Sequence, residues 1–475
     1  MSTISPDSGT LATAQAAKWN KTDTVWMFGL YATAVGAGTL FLPINAGLNG
    51  PLVLLLMALF AFPLTYLPHR ALSRFVLSGS SRDGNIHDVV VEHFGVLAGK
   101  IIMVLYLMAF FPIVLVYSIS ITNALDSFLI HQFHLAPLPR VWLSLAVVVV
   151  LNLVLLRGKD AIVSAMGMLV FPLLVFLMGI SLYLVPTWQT ANFVSGLANT
   201  QFSSPDLWHS LWLAVPVMVF SFSHAPIISS FASTQKSLYG EKAERRCARI
   251  MRYSYVLICV TVLFFVFSCV LSLSHEDMQQ AKDQNITVLT TLANKFSNPL
   301  IAYLGPMMAM LAMAKSYLGT SLGVTEGATS LIDGLTRAVG KPLSSRITHR
   351  ISAISLFLLT WAATVWNPSA LHIIETISGP LIAAILFGDH AFQVDLALIT
   401  KTHIDNAVGF RPLVTQDLPG FTVAFLEQVI PGHQPGERIG AVEQGQRQNI
   451  APVLHHNALR LLLDGQTLAR GICQG

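Results

Sequence analysis

Three ionisable side chains, His224, Lys315 and Glu375, stand inside long apolar segments of this 475-residue chain. A charge at the centre of a membrane-spanning helix costs ~2.5 to 3.5 kcal/mol even on a mild insertion scale, so each is a candidate for proton coupling or gating. His224 closes the run Ser221, Phe222, Ser223, His224, which Pro216 and Pro226 bracket. Such a run combines missing amide donors with hydroxyls and an imidazole, and it reads either as a binding turn or as a proline kink steadied by serines. The imidazole itself could exchange a proton near neutral pH or serve as a neutral structural ring. Lys315 follows the uncharged stretch from Pro299 to Ala314. It either acts within the membrane or snorkels to the inner interface. Glu375 lies near the start of its segment, where a carboxylate is a hydrated rim group or a gate.

A second interruption, TAVGAGTLFLP, places Gly36, Ala37, Gly38 and Thr39 at the middle of the first apolar segment, with Pro43 just beyond. Small residues let a ligand approach the backbone, although they also let helices pack closely. Tyr117, with Ser118, Ser120 and Asn123, forms a polar patch on the third segment that suits either ligand contact or interhelical hydrogen bonding. The conjunction of two broken segments carries more than either alone. Freed backbone groups survive in hydrocarbon only where they are buried in protein or line a polar cavity.

The elements that position these residues are membrane helices. With 53% hydrophobic and 11% charged residues, the chain carries ten stretches poor in charge, at 22–47, 50–68, 100–125, 141–157, 162–184, 208–230, 253–274, 299–320, 349–366 and 369–387. Each is near the ~20 residues needed to cross a bilayer. Sorting loops by parity puts eighteen Lys and Arg on one side and three (Arg140, Lys282, Lys295) on the other, which predicts a cytoplasmic amino terminus. The first and sixth segments then run in opposite senses. Five helices followed by five of opposite sense is the inverted-repeat plan of secondary transporters, whose ligands bind at half-helix ends near the midplane. A half-helix amino terminus suits a carboxylate, so the expected substrate is amino-acid-like.

The sequence excludes several classes. It holds no Walker loop, HExxH, GxSxG or paired CxxC, so no enzyme, metal or cofactor is expected. Cys247, Cys259, Cys269 and Cys473 have no ligand or redox spacing, and His455 and His456 have no matching cluster. The basic residues follow topology, so a net charge of +4 does not point to nucleic acid. Residues before Asn20 lack the apolar core of a secretory signal. The triplet Asn285-Ile286-Thr287 is a glycosylation signal only in a host that glycosylates.

The motifs KTDTVWMFGLYATAVGAGTLFLPINAG, AFPLTYLPHRALSRFVLSG, LVYSISITNALDSF, LAVPVMVFSFSHAPIISSF, FFVFSCVLSLS, AKSYLG and ETISGPLIAAILF follow one another between Trp19 and Phe387. In these the chain resembles the hydroxy and aromatic amino acid permease family, in particular its bacterial serine/threonine permease branch. The resemblance implies a LeuT-like fold and proton-coupled uptake of serine or threonine across the bacterial inner membrane, with the proton gradient rather than a cofactor as driving force. It also suggests that the Lys315 ammonium replaces the cation bound between the first and eighth helices of that fold. Members of the branch read FSFNHSP where this chain reads FSFSHAP, and they continue into an eleventh helix.

The reading is therefore an all-helical integral membrane protein with a cytoplasmic tail (1–21), a transporter core (22–387, with repeats 22–184 and 208–387) and a soluble tail (388–475). The substrate site is assigned to Gly36, Ala37, Gly38, Thr39, Tyr117, Ser221, Phe222 and Ser223. Proton coupling or gating is assigned to His224, Lys315 and Glu375. Its partners are an amino acid and the lipid bilayer, and the oligomeric state is left open. Because GPLIAAILF runs into GDHAFQVDLALI without a linker, the tail reads as a frameshift product with short helices near 421–429 and 452–463. A non-transporting sensor and an inactive permease are the competing readings.

Overall fold

The computed structural model describes residues 19–81, 86–157, 159–198, 200, 205–341 and 343–386. The tail expected from Gly388, with its two short helices, lies outside them. Among the described residues there are helices and no strands. In chain order the helices are α1 (Lys21–Ala34), α2 (Ala37–Asn49), α3 (Pro51–Ser78), α4 (Ile86–Phe133), α5 (Arg140–Leu155) and α6 (Lys159–Leu184). They continue as α7 (Thr190–Ala198), α8 (Pro205–Ser221), α9 (Ala225–Tyr239), α10 (Ala243–Ser272), α11 (His275–Asp283) and α12 (Val288–Lys295). Last come α13 (Pro299–Ala338), α14 (Ser345–Trp366) and α15 (Ala370–Leu386), whose second turn is a π-helix over Ile374–Ser378.

Every expected apolar segment falls on a helix or on a pair of half-helices, and several helices outrun the apolar runs. α3 continues to Ser78 past an expected end at residue 68, α4 begins at Ile86 with a kink at Gly95 (φ 85°), and α13 runs on to Ala338. Hydropathy marks the part of a helix that lies in lipid, whereas the backbone ladder continues into water as long as its caps and packing allow. By length and hydropathy, four stretches among the described residues qualify as spans, and the pair α1 and α2, bent by 51°, makes a fifth. The rest of the ten expected spans are helices that are shorter or carry more polar residues. The number of crossings is thus not set by hydropathy alone.

One apolar core runs from Leu30 in α1 to Leu386 in α15. Leu59, Val104, Val150, Val175, Trp212 and Val260 instead face outward from their helices. An apolar surface of that extent would be a liability in water and fits lipid. Near the end of the chain's expected outer side, Asn285 and Asn367 both take left-handed backbone conformations (φ 55° and 56°). The Asn285 amide donates to Asn367 Oδ1 (2.9 Å) and to the Pro368 carbonyl (2.9 Å), and the Asn123 amide donates to the Asn285 carbonyl (2.7 Å). Asn285 is buried, so its triplet offers no free amide for a glycan. We expect Asn285→Ala to lower thermal stability of the detergent-solubilised protein, because it removes the donor to Asn367 Oδ1 and the Pro368 carbonyl, takes away the acceptor of the buried Ala370 amide and places alanine at a positive φ.

Candidate functional site at the two helix breaks

The first break is Val35 and Gly36. Ala37, Gly38 and Thr39, expected to be irregular, form the first turn of α2. No side chain caps that turn, so its amide groups point outward as donors at the positive end of a helix dipole. Both glycines are required by contact. A Cβ at Gly36 would lie 2.6 Å from Ser316 Oγ, and one at Gly38 would lie 2.7 Å from the Phe220 ring and 2.8 Å from Ser221 Cα.

The second break is Phe222 to His224, between α8 and α9. Ser221, expected to be within it, is the last residue of α8. Its hydroxyl donates to the Val217 carbonyl (2.6 Å), one turn back along its own helix. The first turn of α9 offers no spare donor: the His224 amide reaches His69 Nε2 (3.3 Å), the Ala225 amide reaches Ser223 Oγ (3.3 Å), and Pro226 has none. Of the two half-helix amino termini, only that of α2 stays open to a ligand.

The breaks touch. Thr39 Oγ1 donates to the Ser221 carbonyl (3.4 Å), and Gly38 packs on Phe220. Between them lies a cavity lined by Thr33, Gly38, Phe110, Ile113, Tyr117, Phe220, Ser223, Thr320 and Ile382 among others. Its free volume is about 20 Å³, little more than one water needs. Gly38, Tyr117 and Ser223 of the expected site therefore meet in one place, with Gly36 against Ser316 beside them. Phe222 is fully buried and does not line the cavity. The polar patch on α4 divides: Ser118 accepts from Thr364 (2.8 Å) and Asn123 joins the outer asparagines, while Tyr117 faces the cavity.

Lys315 does not snorkel. It is 1% exposed, and its ammonium donates to the carbonyls of Ala32 and Val35 (3.0 Å to the latter), which end α1 at the first break. Glu375 is not a hydrated rim group either. It is buried in the π-turn of α15 and accepts from the Asn45 amide (2.7 Å), so it links α15 to α2. His224 points away from the cavity, its ring between those of His69 (4.6 Å) and Tyr255 (4.7 Å), and neither ring nitrogen has a hydrogen-bond partner. Among the described residues no cluster could hold a metal ion.

The sequence reading missed Phe110, Ile113, Phe220, Thr320 and His69. Phe110 and Ile113 precede Tyr117 by seven and four residues, so helical periodicity alone sets them on its face. Thr320 follows Ser316 by four in the same way.

Two opposed helix breaks that meet at a narrow cavity are the arrangement of a carrier, and the comparisons agree. A profile of the tryptophan/tyrosine permease family matches residues 25–390. The chain belongs to the tryptophan/tyrosine permease family. The permease is 48% identical over 370 residues to the serine transporter SdaC of Escherichia coli (strain K12), covering 78% of this chain and 86% of that protein. It is 43% identical to the inner membrane transport protein YqeG of the same strain (78% and 90% covered) and 38% identical to the threonine/serine transporter TdcC of Edwardsiella tarda (80% and 90%). Among solved structures it is similar to MhsT in complex with L-phenylalanine, with TM-score 0.53 and 15% identity over 77% of this chain and 88% of that one. That likeness shows the LeuT-like fold of the permease. The permease is an amino-acid transport protein of the membrane, not an enzyme.

Proposed function

We propose that this permease takes up a small neutral hydroxy amino acid, serine or threonine, across the bacterial inner membrane by symport with protons. The observation that carries the reading is the uncapped amino terminus of α2 facing the narrow cavity that holds Ser223 and Tyr117. The open amide groups suit a carboxylate, and a cavity narrowed by Phe110 and Phe220 suits a small side chain better than an indole or a phenol. The names of the relatives SdaC and TdcC point to the same substrates. Because Ser221 spends its hydroxyl on its own helix, hydroxyl recognition falls to Ser223 and its neighbours.

Proton coupling rests on Lys315, whose charge joins α13 to the end of α1. The Glu375 to Asn45 link is the outer gate in this reading, and the basic loops place the amino terminus in the cytoplasm. The driving force is the proton gradient, with no cofactor.

Uptake of labelled L-serine into proteoliposomes, with and without an imposed pH gradient, tests the reading. Accumulation only with the gradient is expected, and binding without counterflow would mark a sensor instead. Serine should compete at least tenfold better than alanine, because a site built to bond a hydroxyl rejects an analogue that lacks it. Ser223→Ala should narrow that ratio, and equal competition by alanine in the unmodified permease would remove the hydroxyl-reading pocket from the account. The tail is read as a frameshift product, in line with a family match that ends at residue 390. A hydrophobic segment of ~20 residues in another frame after the Phe387 codon is expected, and its absence would leave a genuine accessory tail.

A further inference from the structure

His69 lies on α3, a helix with no assigned part in the site, yet it touches the second break at two points. Its Nδ1 is 2.8 Å from the Thr65 carbonyl, its Nε2 is 3.2 Å from Ser223 Oγ, and the same Nε2 accepts from the His224 amide. A carbonyl only accepts, so Nδ1 carries the proton. Nε2 is then a bare acceptor in a neutral ring, and it faces a hydroxyl and an amide that can both donate. Pro68, one residue earlier, removes an amide from α3 at this turn. The ring is fully buried, and neither a carboxylate nor an ammonium among the described residues pairs with it; His224 and Tyr255 are the titratable rings beside it.

The need for such an acceptor follows from the cap of α9. In a capping box, the N3 side chain reaches back to accept from the N-cap amide. Here the N-cap is His224 and N3 is Ile227, which cannot accept. The His224 side chain makes no cap bond, and the Ile227 amide goes to the His224 carbonyl (3.1 Å). An acceptor must come from another helix, and His69 is the one in reach. By drawing the Ser223 proton toward α3, His69 also leaves that oxygen with its free lone pair at the cavity it lines.

We propose that His69 is a positioning residue for the substrate turn: as a neutral acceptor it caps α9 through the His224 amide and turns Ser223 Oγ into an acceptor for the substrate hydroxyl. This rests on the cavity being the amino-acid site. His69 carries no proton across the membrane in the cycle. It sets the shape of the break and the direction of one hydrogen bond.

Three substitutions separate the acceptor from the ring. His69→Phe keeps an aromatic body against His224 and Tyr255 but accepts nothing, whereas His69→Gln places an amide oxygen near the Nε2 position. His69→Phe and His69→Ala should raise the KM for L-serine about ten- to a hundredfold, the effect of stranding buried donors, with a smaller change in maximal rate. His69→Gln should return KM to within about threefold of the unmodified permease, and its uptake should keep the same pH profile. A normal KM in His69→Phe would show that only the ring's bulk matters and would overturn the proposal. A His69→Gln variant as impaired as His69→Phe would overturn it too. Nitrogen-15 NMR of histidine-labelled permease in lipid, assigned through His69→Gln, reads the cap without any substrate. A neutral ring with Nε2 unprotonated is expected, and a protonated Nε2 refutes the cap. If the unmodified permease takes up no serine, the transport reading fails while the NMR result still decides the cap.

Discussion

Lys315→Ala will abolish pH-gradient-driven accumulation of serine and leave serine counterflow in place. The ammonium of Lys315 is held by the carbonyls of Ala32 and Val35, at the carboxyl end of α1 where the helix dipole presents its negative pole. A single charge therefore fastens α13 to the end of α1, the half-helix that moves in the proposed cycle. Among the described residues it forms no ion pair with a carboxylate, so nothing but backbone holds it in place. In the proposed coupling, losing its proton removes the charge that the two carbonyls bind, and α1 is released. One proton per cycle supports about tenfold accumulation for each unit of pH difference, and without the site that ratio should fall to about one. Lys315→Arg keeps the charge and the carbonyl contacts but cannot give up its proton, so it too should fail to accumulate serine. Normal accumulation by Lys315→Ala would refute the coupling, and loss of counterflow along with accumulation would show that the lysine only shapes the break.

The positions of the two breaks were legible because their residues break local rules: glycines in the middle of an apolar helix, and prolines around a hydroxylic run, both need a reason at membrane depth. Their exact edges were not. Ala37 to Thr39 turned out helical and Ser221 ended α8, since a half-helix starts wherever its first carbonyl finds a partner and composition does not mark that residue. His69 was missed for a physical reason. With Arg70 and Arg74 following, it looked like the polar end of the second span, but α3 continues to Ser78 and carries the histidine, fully buried, to the second break. Hydropathy reports the lipid, not the helix. Lys315 could be placed by depth alone, yet whether it snorkelled depended on what stood opposite, and the carbonyls of Ala32 and Val35 are contributed some 280 residues earlier in the chain. His224 shows the converse. It was singled out for its place in the break, and its ring lies behind the turn between His69 and Tyr255 rather than at the cavity.

Arg246→Met will destabilise the permease and stop uptake, and the double variant Asp23→Leu with Arg246→Met will recover stability without recovering transport. Arg246 on α10 grips Asp23 in the first turn of α1 with two hydrogen bonds, one of them Nε to Oδ1 at 2.8 Å. Both groups are buried, at 4% and 0% exposure. The guanidinium also stacks over the Tyr239 ring (4.8 Å), whose hydroxyl accepts from Asn20, the residue that caps α1. The cluster thus ties the start of α1 to α9 and α10 below the cavity, on the side where the basic loops lie. Removing Arg246 leaves the buried Asp23 carboxylate with the Asn20 amide but no counter-charge, at a cost of about 3 to 5 kcal/mol, whereas replacing both charges by apolar side chains is often near neutral. Thermal unfolding of the detergent-solubilised proteins should therefore show Arg246→Met well below the unmodified permease and the double variant closer to it, short only by the capping bond from the Asn20 amide that Asp23→Leu removes. Transport should part from stability at that point. If the pair is a latch that opens and re-forms in each cycle, an apolar contact that neither releases into water nor re-forms with direction cannot replace it, and serine uptake by the double variant should stay low. Uptake at the normal rate by the double variant would reduce Asp23 and Arg246 to a structural pair and leave Lys315 as the only tie on α1 that the cycle must break.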